Sequence, residues 1–349
     1  MPLRAQSLLD ASVRIEQFDA KTDARNLRAC HDLTAAGWAV DHPHVPPWPL
    51  DSFTAKWADG FDACPQQTWL ATDDSGEPVG CYLLRLPDKE NVTRAHCTLV
   101  VAPARRRAGL GTALVEHCAE QARRAGRSRL AGQVRDDSPG AAFAAALGAR
   151  AGIAQVDRVL DVDAALAGRL PALRAEAERH AAGYSLLSWL DRSPEEFIDQ
   201  VARMHNAMAD APRNKGVEAM AWNAERVRNV ELIAVEHGIT CYTVAARCDI
   251  NGDLAGLTQV STDGTPGWGF QMVTAVLPEH RGHRLGLLIK VAMLQWLAEA
   301  APDVRHVLTG NAGSNEHMID INARLGFEVR DVYRDWELDL GLLPAALPG

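Results

Sequence analysis

The sequence predicts a mixed α/β (α+β) protein made of two copies of one domain, and three observations lead there. First, LVVAPARRRAGLG (Leu99 to Gly111) lies over TAVLPEHRGHRLG (Thr274 to Gly286) without a gap. Val101 falls on Val276, Pro103 on Pro278, Arg106 on Arg281 and Gly111 on Gly286. The offset of 175 residues is half of a 349-residue chain, and a chain of that length ordinarily divides into two cores. Second, ATDDSGEPVGCYLLR and AARCDINGDLAGLTQV each read as strand, polar turn, strand, and AALGA around Gly148 answers ARLGF around Gly326. Third, each copy carries mixed strands crossed by a single helix, which argues for a mixed sheet rather than a doubly wound parallel one.

Within each copy the elements follow one order. A helical region opens it, 25–38 in the first and 194–209 in the second. A variable loop comes next, then an antiparallel strand pair, the repeated strand–turn–helix, a further strand, a short helix and closing strands. Strands 241–247 and 254–261 alternate around Asn251-Gly252-Asp253, a hairpin signal. The helix after the first repeated turn places Leu110, Ala113, Leu114 and Cys118 on one face. Between the copies, AALAGRLPALRAEAERHAAG is rich in Ala and charge with a Pro near its start, and it reads as a linker helix. The expected division is 1–163, a linker at 164–183, and 184–349.

Apolar residues make up 47% and charged residues 23%, so an extensively disordered chain is excluded. The net charge of −9 argues against nucleic-acid binding and leaves only a local basic pocket for a phosphorylated ligand. The seven cysteines are scattered without a CxxC pair and read as reduced thiols of a cytoplasmic protein. The N-terminal stretch lacks an apolar signal core. Lys290 and Gln295 interrupt the most apolar run, LGLLIKVAMLQWL, so no membrane span is expected. His280 with His283, and His42 with His44, lack a third ligand in pattern, so no metal is expected.

The repeated turn carries the chemistry. Glycines at a helix start let an anion reach bare backbone N–H groups, and the helix dipole favours it, so a pyrophosphate is the natural guest. A turn kept small only for packing is the alternative. A dinucleotide-binding turn needs a third Gly where Leu114 stands, and a P-loop needs Gly-Lys-Ser/Thr, which is absent. Arg106-Arg107-Ala108-Gly109-Leu110-Gly111 resembles the Gln/Arg-x-x-Gly-x-Gly/Ala loop of the GNAT superfamily of acyl-CoA-dependent N-acyltransferases. Arg281-Gly282-His283-Arg284-Leu285-Gly286 keeps the first Arg and last Gly and places Arg284 at the middle Gly. Asp210-Ala211-Pro212, Trp222 to Arg228, and His280 to Gly286 more narrowly resemble actinobacterial tandem-domain GNAT proteins.

The resemblance implies two tandem GNAT domains, each a mostly antiparallel mixed sheet splayed at its centre and flanked by helices. It implies an acyl-CoA co-substrate, most simply acetyl-CoA. By match, Val101, Arg106, Arg107, Ala108, Gly109, Gly111 and Thr112 line the cofactor in the first copy. Val276, Arg281, Gly282, His283, Arg284, Gly286, Asn311 and Asn315 do so in the second. Where the second copy has its Asn pair, the first has Asp136 and Asp137, poorer neighbours for an anionic cofactor. Many family members use a Glu on the strand before the loop as base, but the matching positions hold Phe270 and Gln271, or Ala95 and His96. The Tyr that serves as acid is replaced by Asn322 and by Ala144. Asp210, Gln271, Thr274 and Tyr333 remain as catalytic candidates, with His96 reading as either a base or a core histidine. The loop at 41–53 reads either as a pocket wall or as a rigid surface connection. Two functions follow. One is an N-acyltransferase acting on a primary amine of a small molecule by direct attack on the thioester. The other is a non-catalytic acyl-CoA-binding or regulatory protein. No nucleic-acid or membrane partner is implied. The chain is expected to be a monomer whose two domains imitate a dimer, or else a homodimer.

Overall fold

The structure, a computed structural model, describes residues 13–60 and 62–342; the expectation for the extreme N-terminus falls on 1–12, outside them. The first copy runs β1 (Arg14–Phe18), α1 (Ala24–Asp41), α2 (Leu50–Thr54), β2 (Gln66–Thr72), β3 (Pro78–Arg85), β4 (Arg94–Val101), α3 (Leu110–Arg124), β5 (Arg129–Arg135), α4 (Pro139–Ala146) and β6 (Arg150–Asp161). Then come α5 (Val162–Ala167), α6 (Leu170–His180), β7 (Tyr184–Leu190), α7 (Ile198–Ala207), α8 (Ala224–Glu236), β8 (Thr240–Cys248) and β9 (Leu254–Thr262). The chain ends with β10 (Trp268–Val276), α9 (Leu285–Ala300), β11 (His306–Ala312), α10 (Glu316–Leu325) and β12 (Glu328–Asp339). Side chains that the sequence reading did not single out start several helices. Asp23, Asp161 and Asn223 each accept a backbone N–H of the first turn of α1, α5 and α8.

The compact units do not follow the sequence copies. One holds the described residues up to Gly152 together with those from Arg334 onward, and the other holds Ile153–Tyr333. The cause is an exchange of closing strands. β6 pairs antiparallel with β11, from His306↔Asp161 to Ala312↔Gln155. The latter half of β12 instead completes the first sheet beside β5. There Arg129 pairs with Asp339, Leu340 N donates to Ser128 O at 3.0 Å, and Leu338 and Leu340 enter the core with Leu114 and Leu130.

The expected linker helix is likewise two helices, α5 and α6, and both belong to the second unit. Val162, Ala165, Leu170, Ala177 and Ala181 are buried in the same cluster as α9. Their apolar stripe finds a partner surface there. Covered by the sheet on one side and by these helices on the other, α9 is buried from Leu285 to Leu294, as a helix apolar all round must be. The opposite face of that sheet carries α7 and α8. In the first unit α3 covers one face through Leu110, Leu114 and Cys118, with Ala113 only half-buried, and α1 and α2 cover the other.

Candidate active site

Each unit contains one parallel strand pair that forks. In the first, β4 and β5 pair from Arg94↔Arg129 to His96↔Ala131 and then separate, while β4 continues along β3 to Val101↔Gly80. In the second, β10 and β11 pair from Trp268↔His306 to Phe270↔Leu308 and then separate, while β10 continues along β9 to Val276↔Gly256. Beyond the fork, among the described residues, one edge of β4 and of β10 is left without a strand, so its backbone groups are open to an extended guest. The sheets differ at this edge. β10 has a bulge between Gln271 and Thr274, where three residue steps oppose two on β9, whereas β4 stays in register. A bulge re-aims backbone groups next to it.

The loops that follow share one backbone shape. After a short 3-10 turn, Arg106 and Arg281 are extended, and the second and fourth positions of each loop are left-handed. In the first loop these are Arg107 (φ 66°) and Gly109 (φ 83°), and in the second Gly282 (φ 88°) and Arg284 (φ 54°). Each copy thus uses one glycine and one arginine, in opposite order. Neither α3 nor α9 has a side-chain cap, so the N–H groups of their first turns are left for a ligand. Ala108 with Thr112, and His283, lie in the same stretches. Gly111 and Gly286 are the places where the next helix comes close: an added Cβ would meet Phe143 at 3.4 Å or Ile321 at 3.2 Å. The stretches Arg106 to Thr112 and Arg281 to Gly286 thus form the turn and the uncapped helix start in each unit.

Several named residues are engaged in ways the sequence did not announce. The Arg106 guanidinium makes two bonds of 2.8 Å to Asp41 at the end of α1, and its Nε donates to Val101 O at 3.4 Å. Arg281 repeats the pattern, with 2.8 Å to Asp210 and 3.4 Å to Val276 O. Asp210 and Asp41 are therefore counterparts, each opening an Asp-x-Pro stretch after the first helix of its copy. Arg284 pairs with Glu176 of α6, which also holds Arg324 at 2.5 Å. Gln271 turns its amide inwards, donating to Thr258 Oγ1, Gln259 O and Val273 O at 3.0, 2.6 and 3.1 Å. Thr274 Oγ1 lies 2.8 Å from Thr258 Oγ1. Gln271 and Thr274 thus hold the bulge in shape. Asn311 accepts from Asn322 Nδ2 at 2.7 Å, and Asn315 caps α10. Tyr333 is half-buried on β12. Burial, with Arg85 and Arg94 adding to it, pushes His96 down to about 4, so its imidazole is neutral at neutral pH.

The acetyltransferase (GNAT) family model matches residues 27–149, the first loop included. A solved tandem GNAT protein from the clavulanic acid biosynthesis pathway is 32% identical, covers 95% of this chain and 100% of its own, and superposes with a TM-score of 0.81. This chain belongs to the GNAT family. Its two GNAT domains lie in tandem, and the fold extends to more distant structures. A GCN5-related N-acetyltransferase from Sphaerobacter thermophilus is 17% identical over 94% of this chain and 96% of its own, with a TM-score of 0.66. The glucosamine N-acetyltransferase region of a fungal multi-domain β-N-acetylglucosaminidase is 17% identical, covers 94% of this chain and 38% of its own, and has a TM-score of 0.63. These two share the GNAT fold. No curated protein sequence matches the chain. Among the described residues no helix is long and apolar enough to cross a membrane.

Four features of the structure escaped the sequence reading. Asp41 gave a signal in the shared Asp-x-Pro. Gly80 and Gly256 sit opposite the loop strands, and an added Cβ would come within 2.8 Å of Leu114 or 2.9 Å of Ala275 O. Lys290 is 2% exposed within α9. Asp157 lies on β6, a strand that only the exchange brings to the second sheet.

Proposed function

We propose that this GNAT protein is an acyl-CoA-dependent N-acyltransferase that uses acetyl-CoA, acts on a primary amine of a small molecule, and carries out the reaction in its second unit. The observation that carries this reading is the coincidence in one cleft of the forked β10–β11 pair, the β10 bulge and the uncapped start of α9. The similarity to a protein of the clavulanic acid pathway favours a small-molecule acceptor over a protein tail.

In the mechanism, the amides from Gly282 to Leu287 and the α9 dipole hold the diphosphate. The open edge of β10 from Val273 to Val276 pairs with the pantetheine arm as an added strand would. The acceptor amine attacks the thioester carbonyl, and the backbone N–H groups of Met272 and Val273, out of register with β9, stabilise the oxyanion. Gln271 and Thr258 fix that donor geometry by holding Val273 O.

The straight β4 and the Asp41-bound Arg106 favour a second role for the first unit, acyl-CoA binding without turnover. Calorimetric titration with acetyl-CoA and thiol release with a panel of amines test both roles. Gly286→Trp is expected to abolish thiol release, while Gly109→Trp removes one binding event and spares turnover. Binding of acetyl-CoA without thiol release from any amine would show a non-catalytic protein.

A further inference from the structure

The usual strand carboxylate is missing, and the residues that the sequence offers in its place are engaged: Gln271 and Thr274 hold the bulge, and Asp210 holds Arg281. A different carboxylate stands one strand away from the fork, across β11. Asp157 on β6 is the cross-strand partner of Gly310 on β11, so both project from the same face. Its Oδ1 lies 2.8 Å from where a Cβ on Gly310 would be, so the glycine makes room for the carboxylate. Gly310 follows closely on Leu308, the last residue at which β10 and β11 pair.

Neighbouring residues settle which face this is. Val307 packs with α9, and Asn311 bonds Asn322 of α10. Leu308, Gly310 and Asp157 therefore look to the opposite side, that of α7 and α8. The segment between those two helices crosses this side. It starts at Asp210, tied to the loop after β10, and its Asn214 Oδ1 accepts from Ile153 N of β6 at 2.6 Å. Trp222 closes it, exchanging two bonds of 2.9 Å with Asn206 of α7.

Among the described residues, the charged groups that act on Asp157 are Asp331 of β12 and Arg158 on its own strand. The facing residues of β11 (Leu308, Gly310 and Ala312) carry no charge. Burial first, and Asp331 second, raise its carboxyl to about 6. The first unit does not repeat the arrangement. Its counterpart, Asp335, accepts from Gln133, and the Cβ direction of Gly132 meets Cys97 O instead.

We propose that Asp157, carried on the closing strand of the N-terminal copy, is the catalytic base of the C-terminal unit. Its carboxylate takes one proton from the acceptor ammonium. The freed amine bonds to the thioester carbon, the C–S bond breaks, and the thiolate leaves with the second proton shed by the nitrogen. Asp157 then returns its proton to solvent. The assignment rests on the acyltransferase reading and explains how a chain lacking the usual Glu can still activate an amine.

The test compares wild type, D157N, D157E and D331N by thiol release across pH 5–9, with acetyl-CoA affinity measured separately. D157N is expected to lose about 100-fold or more in kcat, as removal of a general base does, with cofactor affinity changed less than about threefold. D157E should recover part of the loss. Wild-type kcat/KM should fall as pH drops through the Asp157 titration, and D331N should move that limb to lower pH, because removing a like charge eases ionisation. Wild-type turnover left intact by D157N, with the acid limb unmoved, overturns this assignment alone. A wild-type chain that binds acetyl-CoA yet acylates no amine overturns both the assignment and the acyltransferase reading.

Discussion

Arg107 and Arg284 hold left-handed backbone that glycine adopts more easily, and each sits beside a loop glycine that relieves the other left-handed position. Arg284 gains the Glu176 carboxylate in return. Lys290 has no such compensation. No described residue accepts from its Nζ, and its nearest favourable neighbour is the Phe327 ring, 4.9 Å from the ammonium. Burial lowers its titration from 10.5 to about 7. The unfolded chain therefore binds a proton that the native chain lacks between those values, and stability rises with pH across that window. Well below pH 7 both states are protonated and the full burial penalty is present. Lys290→Met is expected to raise stability at pH 7 by roughly 1–3 kcal/mol and to flatten the rise between pH 7 and 10.5. Denaturant melts at a series of pH values check it, and an unchanged slope in the variant removes Lys290 as its source.

At the scale of elements, the same arginine–aspartate tie joins the loop before α3, and that before α9, to the end of the helix that precedes the variable loop. In the first unit it is two-pronged, with Arg106 26% and Asp41 30% exposed; in the second it is single, with Arg281 54% and Asp210 64% exposed. A charge-assisted fork of the first kind is worth more than an exposed pair, which contributes little against solvent. Gly37 lets α1 pack closely on β4, since a Cβ there would lie 3.2 Å from Val100 Cγ1. Asp41→Asn is therefore expected to destabilise the chain by about 1–3 kcal/mol, and Asp210→Asn by less than about 1 kcal/mol. Amide exchange should show the difference: Asp210→Asn loosens residues 211–223 with little change in global melting. Equal effects of the two substitutions would mean that the fork geometry adds nothing.

For the whole molecule, the exchange of closing strands makes each compact unit a mixture of the two copies. A cut made where the sequence suggests, giving 1–163 and 184–349, strips β5 of its neighbour β12 and β11 of its neighbour β6, leaving one edge of each unpaired. It also removes most of α5 and α6 from the cover of α9. Unpaired edges of that kind invite aggregation. Each fragment is expected to be poorly soluble alone, and co-expression of 1–163 with 164–349, which keeps α6 and most of α5, should recover soluble protein. Fragments that are separately soluble, with cooperative melts like that of the intact chain, would show that the exchanged strands are dispensable.

Local pattern was enough for the mixed α/β class, the duplication, the hairpin at Asn251–Asp253 and the matching strand–turn–helix of each copy, because each of these is written in consecutive residues. The Arg106-to-Gly111 stretch, for example, states its backbone needs through its own glycines. Asp157, the bulge held by Gln271 and Thr258, and the Asp41–Arg106 fork were not legible, because each depends on a partner far along the chain. Strand register alone decides which carboxylate faces Gly310. The linker also read wrongly: an Ala- and charge-rich helix looks alike whether it bridges domains or packs on α9. Propensity sets the helix, and only burial chooses its neighbours.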